Sequence, residues 1–543
     1  MRTLYTLLLS LLLSSLAAQT FTEPVEIINN DLSITIRPDG FIPSIKYFSP
    51  SAGDWVEIAD SSGFWIGGLD PGGNPKLSIS DRGDMQAGLF GTDNLQGIWR
   101  VTREEMLEYF RDYNDNFVID DEHPSIFAWP ARGNPLFSEY NNGMELPTAF
   151  NPLLAPFWNW DDDFMSYNPM EGDFPVANRF TRFVQDLPAI KENYWLLFQS
   201  GDSQGGVETS VALNIYYFEC GGDFENVDES FFIHATLKNK EQEDLLNTFF
   251  SLKVDSKADR FMQTDTAKNS VILYSPYGFA ENCNLNSVEA DPSLGVRMTR
   301  GSLNEFGQEI FLTHSSVIYK SADNCGLVYP EATFHPDNDV AYYNRLQGLW
   351  NDGSSMQSQG NGYDQGVRSV KYAFPGNLDS TTSSWTEINA NQFAGERTAL
   401  ITSGNFTLLP GAVNEIAFQI TAVDLSNEVD LLKQVDSLKK KLTPNYDGFN
   451  RTGCTPVNSE LFPEVEQELL ISPNPSLNYI RIYFQDVCDG RQITIFDMQG
   501  RKIIEQDVFH SPARIEVGHL PAGMYLVQAQ IGDGVVVERF VKR

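Results

Sequence analysis

Val211-Ala-Leu-Asn-Ile-Tyr-Tyr217 is dominated by β-branched, aliphatic and aromatic side chains and bounded by turn residues, so it reads as a strand. The same composition recurs in Ser33-Ile-Thr-Ile36, Trp195-Leu-Leu-Phe198, Phe231-Phe-Ile-His-Ala-Thr236, Ser270-Val-Ile-Leu-Tyr274 and Ile416-Ala-Phe-Gln-Ile-Thr421. Residues 19–425 therefore read as an all-β body of the β-sandwich type. Some 400 residues exceed the span of one usual hydrophobic core, so two fused lobes are expected, with a seam near residue 180. Aromatics at 12% and 41 glycines fit a large, turn-rich β protein and argue against disorder.

Two helices interrupt the pattern. Thr102-Arg-Glu-Glu105 is a capping box and opens a helix to about Arg111. In residues 426–442, Leu431, Leu432, Val435, Leu438 and Leu442 recur at helical spacing behind the cap candidates Ser426 and Asn427. That amphipathic helix is expected to pack back onto the sheet. Residues 443–468, with Pro444, Pro456, Pro463 and a run of acids, read as a linker open to a processing peptidase.

The start of the chain reads as a secretory signal peptide over residues 1–18: Met1-Arg2, an apolar run too short to span a bilayer, then Ala17-Ala18. No later window has the length of apolar sequence that a transmembrane helix needs. A formal charge of −35, from 73 acidic against 38 basic residues, excludes nucleic acid and anionic membrane surfaces as natural partners. The five cysteines, Cys220, Cys283, Cys325, Cys454 and Cys488, show no zinc spacing. Cys283 with Cys325 is the favoured pairing, since both lie in loop-like sequence.

Residues 469–543 form a separate small β module. Pro473 and Pro475 mark a stiff opening before a strand. Ile480, Ile482 and Phe484 then alternate with Arg481 and Tyr483, and Ile493 and Ile495 repeat the period. Asp497-Met-Gln-Gly500 supplies a turn with a glycine free to take positive φ. A last hairpin runs through Tyr525, Val527 and Ala529 to Gly532-Asp-Gly534 and back. Short strands at this spacing predict an Ig-like β-sandwich.

Three features of that module, with its basic end Phe540-Val-Lys-Arg543, resemble the type A C-terminal sorting domain of the type IX (Por) secretion system. They are the Pro-Asn-Pro opening at 473–475, the phrase Ile493-Thr-Ile-Phe-Asp-Met-Gln-Gly500, and Leu520-Pro-Ala-Gly-Met-Tyr-Leu-Val527. The resemblance implies passage through the periplasm and the type IX translocon, then removal by a sortase-like peptidase. The mature chain would be released or held on the cell surface. Phe64-Trp-Ile-Gly-Gly-Leu69, Phe127-Ala-Trp-Pro-Ala-Arg-Gly-Asn134, Leu346-Gln-Gly-Leu-Trp-Asn-Asp-Gly353, Tyr372-Ala-Phe-Pro-Gly376 and Arg397-Thr-Ala-Leu-Ile-Thr-Ser-Gly404 resemble a recurrent body of exported proteins that carry this domain. That second resemblance implies an architecture and no activity.

Two oxygen-rich stretches point to calcium. Asp112, Asn114, Asn116 and Asp120 follow the spacing of an EF-type loop, with Ile119 as its apolar residue. Phe117 stands where such a loop has glycine and His123 where it has glutamate, so Asp121 or Glu122 would have to substitute. Asn159, Asp161 and Asp163, with Asp173 after a turn, repeat the spacing, again with a phenylalanine, Phe164, at the glycine position. The alternative for each is an Asx-rich surface loop.

Catalytic patterns are thin. Gly201-Asp-Ser-Gln-Gly205 matches a nucleophile elbow in letters, but a strand follows it where a helix is required, so it reads as a hairpin turn. His234 inside an apolar strand reads as a satisfied core residue. Trp158, Trp160, Trp350 and Trp385 either stack on sugars or pin their loops to the core. The sequence is thus that of an exported, non-enzymatic, calcium-stabilised β protein whose ligand it does not name, a glycan or a protein being the candidates. A secreted carbohydrate-active hydrolase is the alternative, and it needs two carboxylates about 5 to 10 Å apart in a cleft.

Overall fold

The computed structural model describes residues 20–543 apart from 51, 90–94, 117, 148–152, 159–165, 178–189, 201–205, 222–224, 258–259, 275–291, 321–327, 365, 367, 379–383, 425–430, 443–454, 457–468, 473–475, 485–490, 509–512 and 532–533. The signal segment, the seam near 180, Cys283, Cys325, Cys454, Cys488, the phrase 201–205, Ser426, Asn427, Pro444, Pro463, Pro473 and Pro475 lie outside the described residues.

The body is two large antiparallel sheets packed face to face. One has the order Thr20–Phe21, Ile98–Thr102, Ile190–Ser200, Thr209–Phe218, Ser230–Asn239, Val413–Val423, Ser293–Arg300, Ser270–Tyr274, Phe261–Asp265, with Met85–Ala87 also pairing with Ile190–Ser200. The other runs Val25–Asn29, Leu32–Ile36, Ile42–Ser49, Asp54–Leu69, Leu245–Ser256, Arg397–Leu408, His314–Tyr319, with Pro75–Ile79 beside Asp54–Leu69. Strands from both sides of residue 180 pair within the same sheet, Trp99 opposite Trp195 in one and Trp65 opposite Ser251 in the other.

Every residue of Thr209–Phe218 is buried, so both faces of that sheet are covered. Pleating separates the two sets of side chains. Tyr194, Leu196 and Phe198 enter the core between the sheets. Trp195 and Leu197 point the other way, into a second core with Met106, Tyr109, Phe110, Phe127 and Trp129. This is why the strand sequences are near-continuous apolar runs with little polar alternation. Each large apolar side chain so buried contributes about 1.5–3 kcal/mol.

Two more helices close other outward faces. Asp339–Leu346 lies on the smaller sheet, where Tyr342, Tyr343 and Leu346 meet Trp65, Leu77 and Phe249. Gly67 admits it: a Cβ there would stand 2.6 Å from both Leu346 Cδ1 and Leu77 Cδ2. The amphipathic helix expected in 426–442 is seen as Leu431–Lys441 and packs back onto the larger sheet, with Val435, Leu438 and Leu442 against Ile272, Tyr274 and Val423. In the linker region, Thr455–Pro456 pairs with Cys220–Gly221.

The terminal module is a small β-sandwich with its own core. A three-stranded sheet (Leu469–Ser472, Tyr479–Phe484, Ala513–Glu516) faces a four-stranded one (Lys502–Val508, Arg491–Asp497, Gly523–Ile531, Gly534–Lys542). Ile480, Ile482, Ile493, Ile495, Val527 and Phe540 fill the space between them. Gly500 has φ +78°, as the turn requires. The Asp497 carboxylate accepts the Gln499 and Arg501 amides at 2.9 Å each.

Candidate functional site

The capping box forms as expected. The Thr102 amide donates to Glu105 Oε2 at 2.7 Å and the Glu105 amide to Thr102 Oγ1 at 3.2 Å. The helix it opens, Arg103–Asn116, runs past Arg111 and takes in residues 112–116. Asp112, Asn114 and Asn116 therefore lie on a helix and not along a loop. Helical residues two apart point in different directions, whereas Asp112 and Asn116, four apart, share a face.

The chain then turns back around Asp112, which is buried. Its carboxylate accepts His123 Nε2 at 2.9 Å and the amides of Asp121 at 3.0 Å and Asp120 at 3.3 Å. Burial pushes its pKa up, but these donors outweigh that and hold it below the usual carboxylate value. Asn116 Oδ1 accepts the Val118 amide at 2.7 Å, and its Nδ2 donates to Asp120 Oδ2 at 3.1 Å. As a result, oxygens of Asp112, Asp120 and Asp121 lie within 4.8 Å of one another.

Of the expected ligands, the fold thus gathers Asp112 and Asp120, adds Asp121, and keeps Asn116 beside them. The side chain of Asn114 and the residues Asn159, Asp161 and Asp163 lie outside the described ones. Asp173 is buried, and its Oδ2 accepts the Asn168 amide at 2.8 Å. The Tyr109 hydroxyl stands 2.8 Å from the Asp173 carbonyl oxygen and 2.7 Å from that of Pro169. Carboxylate and carbonyl together fix the 168–173 turn onto the helix. Three donors on Asp112 leave one of its about four lone pairs for a cation, and exposed Asp120 and Asp121 supply the rest of a three-carboxylate set, so the residues fit a hard cation completed by water.

Two other charged constellations were not legible in the sequence. On the outward face of the larger sheet, His234 Nε2 lies 3.9 Å from Glu415 Oε2, and an Arg300 terminal nitrogen 3.6 Å from the same oxygen. On the smaller sheet Asp81 accepts Trp65 Nε1 at 2.6 Å, His335 Nε2 at 2.9 Å and Lys253 Nζ at 3.3 Å. Burial pushes the Asp81 pKa up, but the His335 hydrogen bond and the Lys253 charge bring it down to about 2. Both sets join strands far apart in the chain.

The catalytic phrase and the tryptophans read more simply. Ser200 lies opposite Thr209 in an antiparallel pair, so the strands that flank the phrase are neighbours in the sheet, while the phrase itself lies outside the described residues. Trp350 and Trp385 donate their indole N–H groups to the carbonyls of Gly362 and Gly360, at 3.0 and 3.1 Å, and pin that loop. Trp158 stacks on Phe174.

Comparison with protein families matches the secretion system C-terminal sorting domain to residues 470–543. The terminal module is a type IX sorting domain. It directs the protein to the cell surface or the extracellular space, and it engages the secretion machinery. Among the described residues no helix is long and apolar enough to cross a membrane. No curated protein matches the chain. A solved structure titled a polysaccharide lyase aligns with 68% of this chain at 9% identity and a TM-score of 0.16, and the chain spans 37% of that structure's length.

Proposed function

We propose that the sorting domain exports a non-enzymatic, ligand-binding β-sandwich, stabilised by a calcium ion at Asp112, Asp120 and Asp121, whose ligand is a glycan or a protein. The observation that carries the ion is the approach of three carboxylates to within 4.8 Å around the ionised, buried Asp112. Three negative charges that close repel unless a cation neutralises them. Residues 1–18 would take the chain to the periplasm, and a sortase-like peptidase would cut in 443–468. The alternative is a carbohydrate-active hydrolase, which needs two carboxylates about 5 to 10 Å apart in a cleft.

Asp112 is a poor probe of the ion because it also holds the turn. The exposed Asp120 and Asp121 separate the two roles. Calcium at about a hundred times its Kd should stabilise the full-length protein by about 2.7 kcal/mol, read as a rise in Tm that a chelator reverses. Asp120→Asn and Asp121→Asn should abolish the calcium response and leave the chelated Tm unchanged or raised. A wild-type melting curve indifferent to calcium and chelator would overturn the assignment.

A further inference from the structure

The sorting domain presents two outward sheet faces of different character. On the three-stranded sheet Arg514 and Glu516 pair at 2.8 Å, and the Arg514 guanidinium lies 4.1 Å from the centre of the Tyr479 ring, which makes the described part of that face polar. The four-stranded sheet differs. Its inward side chains, among them Ile493, Ile495, Val527 and Phe540, fill the domain's core, and the pleat sends the alternate set outward. There Phe496 stands opposite Leu526 and Met524 opposite Val541, which places two apolar cross-strand pairs side by side. Val537 lies further along the same face opposite Gln528, with Arg539, opposite Leu526, between it and Val541. Met524 is 41% and Val537 49% exposed in the whole chain, so the body leaves this face open.

Resting on the domain's identity as a sorting signal, we propose that this outward face is the surface by which a protein of the type IX machinery reads it, through a flat apolar patch of its own. A sorting signal must display something for its receptor to bind, and an exposed apolar patch rimmed by charge is the usual mark of a protein interface. The charges mix signs, with Lys502 paired to Glu505 at 2.7 Å on the edge strand and Arg539 on the face itself opposite Leu526. Anionic lipid gains little from such a mixture, and an apolar contact holds in salt.

The test uses the full chain in a host with the secretion system, scoring surface and medium against periplasm. Met524→Glu and Val537→Glu should lower export about tenfold or more, since charge at the centre of an apolar contact removes its main anchors. Met524→Leu and Val537→Ile should retain export. Arg514→Ser and Glu516→Ser, on the other face, should behave as wild type. Unchanged Tm of the purified variants separates lost docking from lost folding, and the Met524→Ser variant serves if the glutamates unfold the domain. Wild-type export of the folded face variants, or an equal loss in the Arg514 and Glu516 variants, would overturn the proposal. So would a face-dependent binding to phosphatidylethanolamine–phosphatidylglycerol vesicles, which would make the occupant a membrane, or a face-dependent self-association in sedimentation, which would make it a second copy. Deletion of residues 469–543 distinguishes the levels: export without them sinks the sorting role itself, whereas blocked export beside normal face variants sinks only the docking surface.

Discussion

Glu387 and Arg397 form an ion pair with essentially no exposure, and breaking it is the sharpest test of how this body is held together. Glu387 Oε1 accepts Arg397 Nε at 2.9 Å, and Oε2 accepts the Met262 amide at 2.8 Å. The guanidinium carbon lies 4.9 and 5.8 Å from the ring centres of Tyr319 and Tyr329, which stack on each other at 4.2 Å. Glu387→Gln keeps the shape but leaves a buried guanidinium without its counter-charge, a loss of about 3–5 kcal/mol. With an unfolding entropy of about 2.1 cal/mol/K per residue over some 400 residues, each kcal/mol is about 1.2 °C, so Tm should fall by about 4–6 °C. Denaturant midpoints and calorimetry on the full chain would measure it. Arg397→Met should cost a similar amount at pH 7, and the double variant less than the sum, because it removes both charges. Burial already raises the Glu387 pKa. Without Arg397 that carboxyl would be protonated in the folded state over a wider range, so the Arg397→Met deficit is present at pH 7 and should shrink as pH falls toward 4.5. Single-variant losses below about 1 kcal/mol would refute the reasoning, since a pair so cheaply broken is not desolvated.

Two further outcomes follow from the packing and the charges. Leu438→Ala should cost about 3 kcal/mol, because Leu438 is fully buried against Ile272, Tyr274 and the bare backbone of Gly295; a loss under about 1 kcal/mol in urea unfolding would mean the helix is not docked. Asp81→Asn should cost about 2 kcal/mol at pH 7, from a carboxyl pKa lowered from 3.8 to about 2. A depressed carboxyl pKa stabilises above pH 4 and loses that contribution toward pH 2, so the wild-type advantage should narrow over that window, and a pH-independent gap would assign it to packing.

What the sequence determined by itself was whatever depends on near neighbours. Strand composition marked the β body, Thr102 and Glu105 formed their capping box, Val435, Leu438 and Leu442 at helical spacing docked their helix, and the Pro-Asn-Pro, Asp-x-x-Gly and Leu-x-x-Gly-x-Tyr phrases identified the sorting domain. What only the tertiary structure decided were matters of pairing across the chain. Local spacing reads 112–120 as an EF-type loop; in the structure the helix runs on to Asn116, and the carboxylate of Asp112, closed over by His123 and the amides of 120 and 121, brings different oxygens together. His234 meets Glu415, and Asp81 meets Lys253 and His335, only because long-range antiparallel pairing and a helix laid on the outer face bring those strands and loops together. Such contacts leave no periodic trace, since the free energy that orders them is the burial of both faces of each sheet, and that burial exists only once all the layers have closed.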